Sequence, residues 1–247
     1  MLALGRFAEA GAAAAQVDNA YSYALTFSAV TGTGASNFAL IPSQSLWAYS
    51  VADREGLNGL DYRTSGDPRT RFTARGTADG FTIYHPNKYA INGSSPIVLA
   101  SGVEARLIEA EAALNAGDGT WLDRLNALRT NGTFTTRPNA TDPLRTDTLW
   151  NAGSGGVAGL APLADPGSAD SRVNLVFRER AFWLFLTGHR QGDLRRLIRQ
   201  YGRAQEQIYP FGPYRGGSTY GSDVTLPVPS DEQVSNPHFT GCASRGA

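Results

Sequence analysis

The residues best equipped for chemistry are arginines. Seven of them fall between positions 178 and 203, in RERAFWLFLTGHRQGDLRRLIRQYGR, on both sides of an apolar run from Ala181 to Leu186. Clustered guanidinium groups suit phosphate binding, attraction to an anionic surface, or pairing with carboxylates inside a packed domain. Charge balance separates these. The chain carries 22 Lys+Arg against 22 Asp+Glu, whereas a polyanion-binding protein ordinarily shows a basic surplus. A helix–turn–helix reading would set Arg195, Arg196 and Arg199 in a groove, and the even balance argues against it. The preferred reading is structural. Glu179 and Asp193 pair with arginines whose stems lie over apolar neighbours, and no nucleic-acid partner is expected. Lys88 is the only lysine of the chain, which reads as compositional bias.

Other chemistry is sparse. His85, His189 and His238 have no neighbour at metal-ligand spacing, and such sites need His-x-x-x-His or Cys/His clusters. Cys242 is the single cysteine, so neither an internal disulfide nor a thiolate metal cage can form. No G-x-S-x-G elbow is present, and GTGASN places Asn37 where a dinucleotide loop needs its third glycine. The carboxylate pairs are Asp53 with Glu55 and Glu109 with Glu111. A glycoside hydrolase needs two carboxyls roughly 5 to 10 Å apart across a cleft. Glu109 and Glu111 point to different faces of a helix and read as solvated surface charge. No catalytic residue, metal or cofactor is expected.

The loop SLWAYSVADREGLNGLDYRTSGDPR sets Trp47, Tyr49 and Tyr62 among polar residues. Rigid aromatic faces beside polar donors suit the stacking of sugar rings. Asn58 and Asp61 are the candidate hydroxyl partners, with Gly56 and Gly59 allowing tight turns. The competing reading is that these aromatics pin the loop onto helices.

Five helices must position these residues. The first spans Met1 to about Gln16, with Leu4, Phe7, Ala8 and Ala15 as its buried stripe. Arg6 and Glu9 within it mark an amphipathic helix rather than a signal peptide. The second opens at SGVE, a capping-box spacing, buries Val103, Leu107, Ala110 and Leu114, and stops at Gly117. The third runs from Thr120 to Gly132 and buries Leu122, Leu125 and Leu128. The fourth covers about 171 to 187, and the fifth is DLRRLIRQY. Short strands are expected in YALTFSAV and GFTIY, within long stretches rich in Gly, Ser, Thr, Asn and Pro. No run approaches the ~20 apolar residues that a membrane helix requires.

Four segments, in order, resemble the SusD/RagB family. GDPRTRF resembles its D-P-R motif, and KYAINGSSPIVLASGVEARLIEAEAAL its K-Y segment leading into a helix with E-A at the centre. RERAFWLFLTGHRQGDLRRL resembles its E-R helix, G-H-R turn and D-L-R-R helix, and LPVPSDEQVSNPHF its closing pattern. The resemblance implies a mostly α fold of tetratricopeptide-like helical hairpins (an α-solenoid scaffold) with long irregular loops and a few short strands. It implies a surface lipoprotein at the bacterial outer membrane that captures oligosaccharide or peptide nutrients without cleaving them. Such proteins deliver their cargo to a TonB-dependent transporter. The implied structural signature is Asp67, Arg69, Glu179, Arg180, His189, Arg190, Asp193, Arg195 and Arg196. Family members are about twice as long, within the span of single layered chains. Residues 1–247 are therefore expected to be one SusD-like domain, the C-terminal portion of a longer protein, with the lipid anchor outside this chain.

Overall fold

The computed structural model describes residues 1–28, 50–78, 80–89, 95–130, 134–138, 146–150, 160–214, 217–222, 224 and 230–239. The expected ligand residues Trp47 and Tyr49, the GTGASN stretch, the start of the closing LPVP pattern and Cys242 lie outside them. The chain divides into two compact units, Met1–Ala52 with Tyr62–Arg190, and Asp53–Asp61 with Gln191–Ala247.

The first unit begins with a 3-10 turn, Leu2–Leu4, and helix α1, Phe7–Ala14. The single helix expected there is interrupted because Gly5 takes a left-handed conformation at φ 71°, which glycine adopts without steric cost. The interruption shifts the buried stripe to Leu2, Ala10 and Ala14, while Leu4 is 74% exposed. Strand β1 (Ser22–Leu25) follows, then β2 (Phe72–Ala78), β3 (Phe81–Pro86) and β4 (Ile97–Ser101). β1 pairs antiparallel with β4, and β2 with β3, each with one register irregularity. Only β1 and β3 lie in segments read as strands from the sequence. β2 (FTARGTA) and β4 (IVLAS) hide in stretches whose Gly, Thr and Ser content resembles loop.

Helix α2, Gly102–Asn115, starts where the capping spacing places it. Ser101 Oγ accepts the Glu104 backbone N–H at 3.2 Å. α3 is Trp121–Thr130 and α4 is Ala169–Trp183, the latter capped by Ser168 accepting from Ser171 N–H. β5 (Phe134–Pro138) and β6 (Thr146–Trp150) pair antiparallel between them.

Instead of the expected solenoid scaffold, the chain is a mixed α/β fold, with three separate two-stranded antiparallel sheets among the described residues. Helices α1, α3 and α4 all pack on α2, so they surround one central helix instead of stacking as successive hairpins. The cause is composition. Gly102, Val103, Ala105, Leu107, Glu109, Ala110, Glu111 and Ala113 of α2 are all buried, so it lacks the polar stripe of a surface helix. Small alanines on several faces let neighbours approach from more than one side. The irregular stretches between helices pair partly as strands, which satisfies backbone groups that a buried loop would leave unpaired.

In the second unit, α5 (Arg190–Arg199, its first residue belonging to the first unit) buries Leu194 and Leu197. α6 is Gln205–Ile208 and α7 is Ser230–Ser235. A bridge between Pro213 and Thr219 closes a tight hairpin. The 53–61 segment is held by the 206–220 region, through backbone donation from Leu57 N–H to Phe211 O at 2.9 Å.

Candidate functional site

The centre of the first unit is a set of buried charges. Asp67 stands before the 3-10 turn Pro68–Thr70 and caps it, accepting the Arg69 backbone N–H at 2.9 Å. Pro68 suits this start because its φ is fixed and it has no N–H to satisfy. The same carboxylate accepts from Arg69 Nε at 2.9 Å and Nη2 at 2.7 Å. Arg69 Nη1 and Nη2 also donate to Glu179 of α4 at 2.7 and 3.2 Å. Arg129 of α3 donates to Glu179 at 2.8 Å, and Trp183 Nε1 at 3.2 Å.

Two carboxylates and two guanidiniums thus form a neutral network around Glu179, which is buried. A buried carboxylate needs this much, since an unpaired charge in the interior costs several kcal/mol or more. Burial alone would raise the Asp67 pKa, but the hydrogen bonds and charge of Arg69 outweigh it and hold the carboxyl below its ordinary value. Burial pulls Arg69 down, and its bonds to Asp67 and Glu179 more than restore it. The Arg69 guanidinium also lies 4.9 Å from the Trp183 ring, a favourable placement over a π face.

The pair Glu109 and Glu111 departs from expectation, because both are buried rather than solvated. Glu109 pairs with Arg106 at 2.7 Å and Arg124 at 3.1 Å, and Glu111 with Arg180 at 3.7 Å. An Arg three residues before Glu109 was a legible sign of pairing. The distant partners Arg124 and Arg180 left no local signal.

A second cluster clamps the turn after α4. Lys88 Nζ donates to Phe185 O and Tyr89 Oη to Leu186 O, both at 2.7 Å. The turn needs holding because Leu186 adopts φ 55°, costly for a residue with a Cβ. Lys88 as a whole residue is only part-buried, yet its surroundings are dense enough that burial lowers its pKa to about 8. Burial likewise raises Tyr89. His189 lies at the end of this turn, its Nε2 3.1 Å from Glu104 of α2. Beside the cluster is a cavity of about 250 Å³ with Tyr89, Val103 and Trp183 in its wall and Arg71, Pro96 and Leu99 among its exposed lining residues.

Of the described residues expected to meet sugar, Tyr62 and Asn58 have partners within the protein. Tyr62 packs on Phe182 and Phe185 with ring centroids 5.2 and 5.0 Å apart, so it pins its segment to α4. In the second unit Asn58 donates to Glu206 O at 3.0 Å and Tyr209 O at 2.7 Å, and accepts Phe211 N–H at 3.2 Å. Its amide is a brace for backbone. Asp61 is part-buried. Glu55 accepts the Tyr220 hydroxyl at 2.7 Å, and burial followed by that carboxylate pushes the phenol up to about 12. Gly56 has φ 62°, and a Cβ there would stand 2.2 Å from Phe211 O, so the tight turn expected at this glycine is realised.

Of the signature residues, Asp67, Arg69, Glu179, Arg180 and His189 gather in the first unit as described. In the second, Asp193 and Arg196 pair at 3.0 Å with both side chains buried, which leaves Arg196 unsuited to a nucleic-acid groove. Arg190 and Arg195 are part-buried. Lys88, Arg129 and Glu104 escaped the sequence reading as site residues. Lys88 was legible only as the lone lysine in the K-Y segment, Glu104 only as a capping residue, and Arg129 left no signal.

Among the described residues no group of His, Cys, Asp and Glu is arranged to hold a metal ion, and no helix is long and apolar enough to cross a membrane. No family model, curated protein or solved structure matches the chain.

Proposed function

We propose that this protein binds glycan or other nutrient oligomers at the bacterial outer membrane, without cleaving them, for uptake through a TonB-dependent transporter. The reading draws on the resemblance to the SusD/RagB family, and one observation supports it. Segments that carry the resemblance, far apart in sequence, are mutual partners. The D-P-R arginine meets the E-R glutamate across 110 residues, and the K-Y pair meets the turn that leads into G-H-R. The E-A helix supplies Glu111 to Arg180 and Glu104 to His189. The reading rests on these contacts and not on a helical-repeat scaffold.

The test is calorimetric titration with a panel of oligosaccharides and peptides, with reducing-end and peptide-bond release followed in the same samples. Saturable binding without product is expected. Release of new ends would instead assign a hydrolase using the loop carboxylates. Retention on DNA that falls steeply with salt would overturn the reading in favour of nucleic-acid binding.

A further inference from the structure

The cavity of the first unit holds an imbalance of charge. Among the charged groups that line it, Arg69 is committed to Asp67 and Glu179, and Glu104 faces His189. Two cations remain. Lys88 gives its ammonium to the Phe185 carbonyl, with no ion pair among the described residues. Arg71 is exposed, and its side chain has no partner among them. A carbonyl accepts one of the three ammonium protons and supplies no charge, so among the described residues the amine has no counter-ion in its dense surroundings. The rest of the wall is largely apolar: Pro68, Pro96, Leu99, Val103 and Trp183. Its serine and threonine hydroxyls, on Ser22, Ser95, Ser101 and Thr187, are the minor part of that wall.

We propose that this cavity binds a small monocarboxylate with an apolar body, its carboxylate met by Lys88 with Arg71 at the mouth, and its body against Trp183 and β4. Size fits the class: about 150 Å³ suffices for benzene, and about 250 Å³ is present, room for a ring or short chain plus a carboxylate. A bound anion supplies the charge that burial otherwise penalises at the amine, whose pKa of about 8 reports that penalty. The site is separate from the oligomer-binding reading, and its failure leaves that reading standing.

Phenylacetate and its neutral isostere phenylacetamide are the probes, titrated calorimetrically into the full chain. A charge-assisted contact in a largely apolar wall should make the acid bind roughly tenfold or more tighter than the amide. Lys88→Met should bring the two affinities together, and Arg71→Gln, at an exposed side chain, should weaken the acid several-fold without unfolding the protein. Because Lys88 is the only lysine, acylation of its ε-amine followed by peptide mass mapping reports one position, and phenylacetate should slow it. Equal affinities for acid and amide, no binding of the acid, or acylation of Lys88 at an unchanged rate would overturn the proposal. If Lys88→Met does not fold, the acid-to-amide ratio of the wild type and the Arg71→Gln titration decide.

Discussion

The two units solve the same problem with different interactions. At the centre of the first, backbone segments distant in sequence are joined by full charges: Glu179 accepts four hydrogen bonds, from Arg69, Arg129 and Trp183. In the second, the 53–61 segment is joined to the 206–211 region by a neutral amide, with Asn58 taking two carbonyls and one N–H. A buried charge network is unforgiving, since removing one member strands the others. A neutral amide braces backbone groups that water can serve if they open. The first design gives a centre that holds all together or fails, the second a segment able to loosen locally.

The widest gap between the two should appear at Glu179. Glu179→Ala leaves part-buried Arg129 and part of buried Arg69 without a carboxylate, and should cost about 3–5 kcal/mol in urea unfolding. A loss near zero would mean that the network is decorative. Next is the α2–α4 pair. Arg180→Met and Glu111→Leu should each cost about 3 kcal/mol, and the double replacement far less than their sum, because an apolar pair removes both desolvation penalties. Strict additivity would show the 3.7 Å pair to be uncoupled. Asn58→Ala should cost only about 1–3 kcal/mol. Its effect should appear as faster amide exchange confined to the 53–61 and 206–211 segments, and global unfolding at the same loss would erase the contrast.

The last contrast is with pH. Asp67 has a folded pKa below its ordinary value of 3.8. Its contribution is therefore fully present above that value and is lost as pH falls through the lower folded one. Lys88 runs the other way. Its folded pKa of about 8 lies below the ordinary 10.5, so a penalty present below about 8 fades as pH rises toward 10.5. Stability of Lys88→Met relative to wild type should then decline across that interval, and Asp67→Asn should flatten the acid limb. Both are read from urea midpoints across pH.

Legibility in the sequence followed the range of each interaction. The α2 start was readable from Ser101 and Glu104, because capping lies within four residues. The ends of α4 were less so, since the apolar run through Leu186 looked helical, whereas the helix stops at Trp183 and Leu186 turns left-handed under the Tyr89 clamp. The acidic face of α2 was misread as solvated because Arg124 and Arg180 arrive from other helices. Asn58 and Tyr62 had the residue types of a sugar site, but their side chains are spent on backbone and on α4. The pairing of β2 and β4 carries little periodic signal, and their partners define them as strands.

The central claim is that the buried arginine–carboxylate network builds the protein and takes no part in the proposed oligomer binding. Arg69→Lys tests it most directly, since the charge stays while the planar fork that spans Asp67 and Glu179 is lost. Unfolding free energy and oligosaccharide affinity per folded molecule would be measured on the same preparation. Stability should fall by about 1–2 kcal/mol with affinity unchanged. Full stability with binding lost would contradict the account.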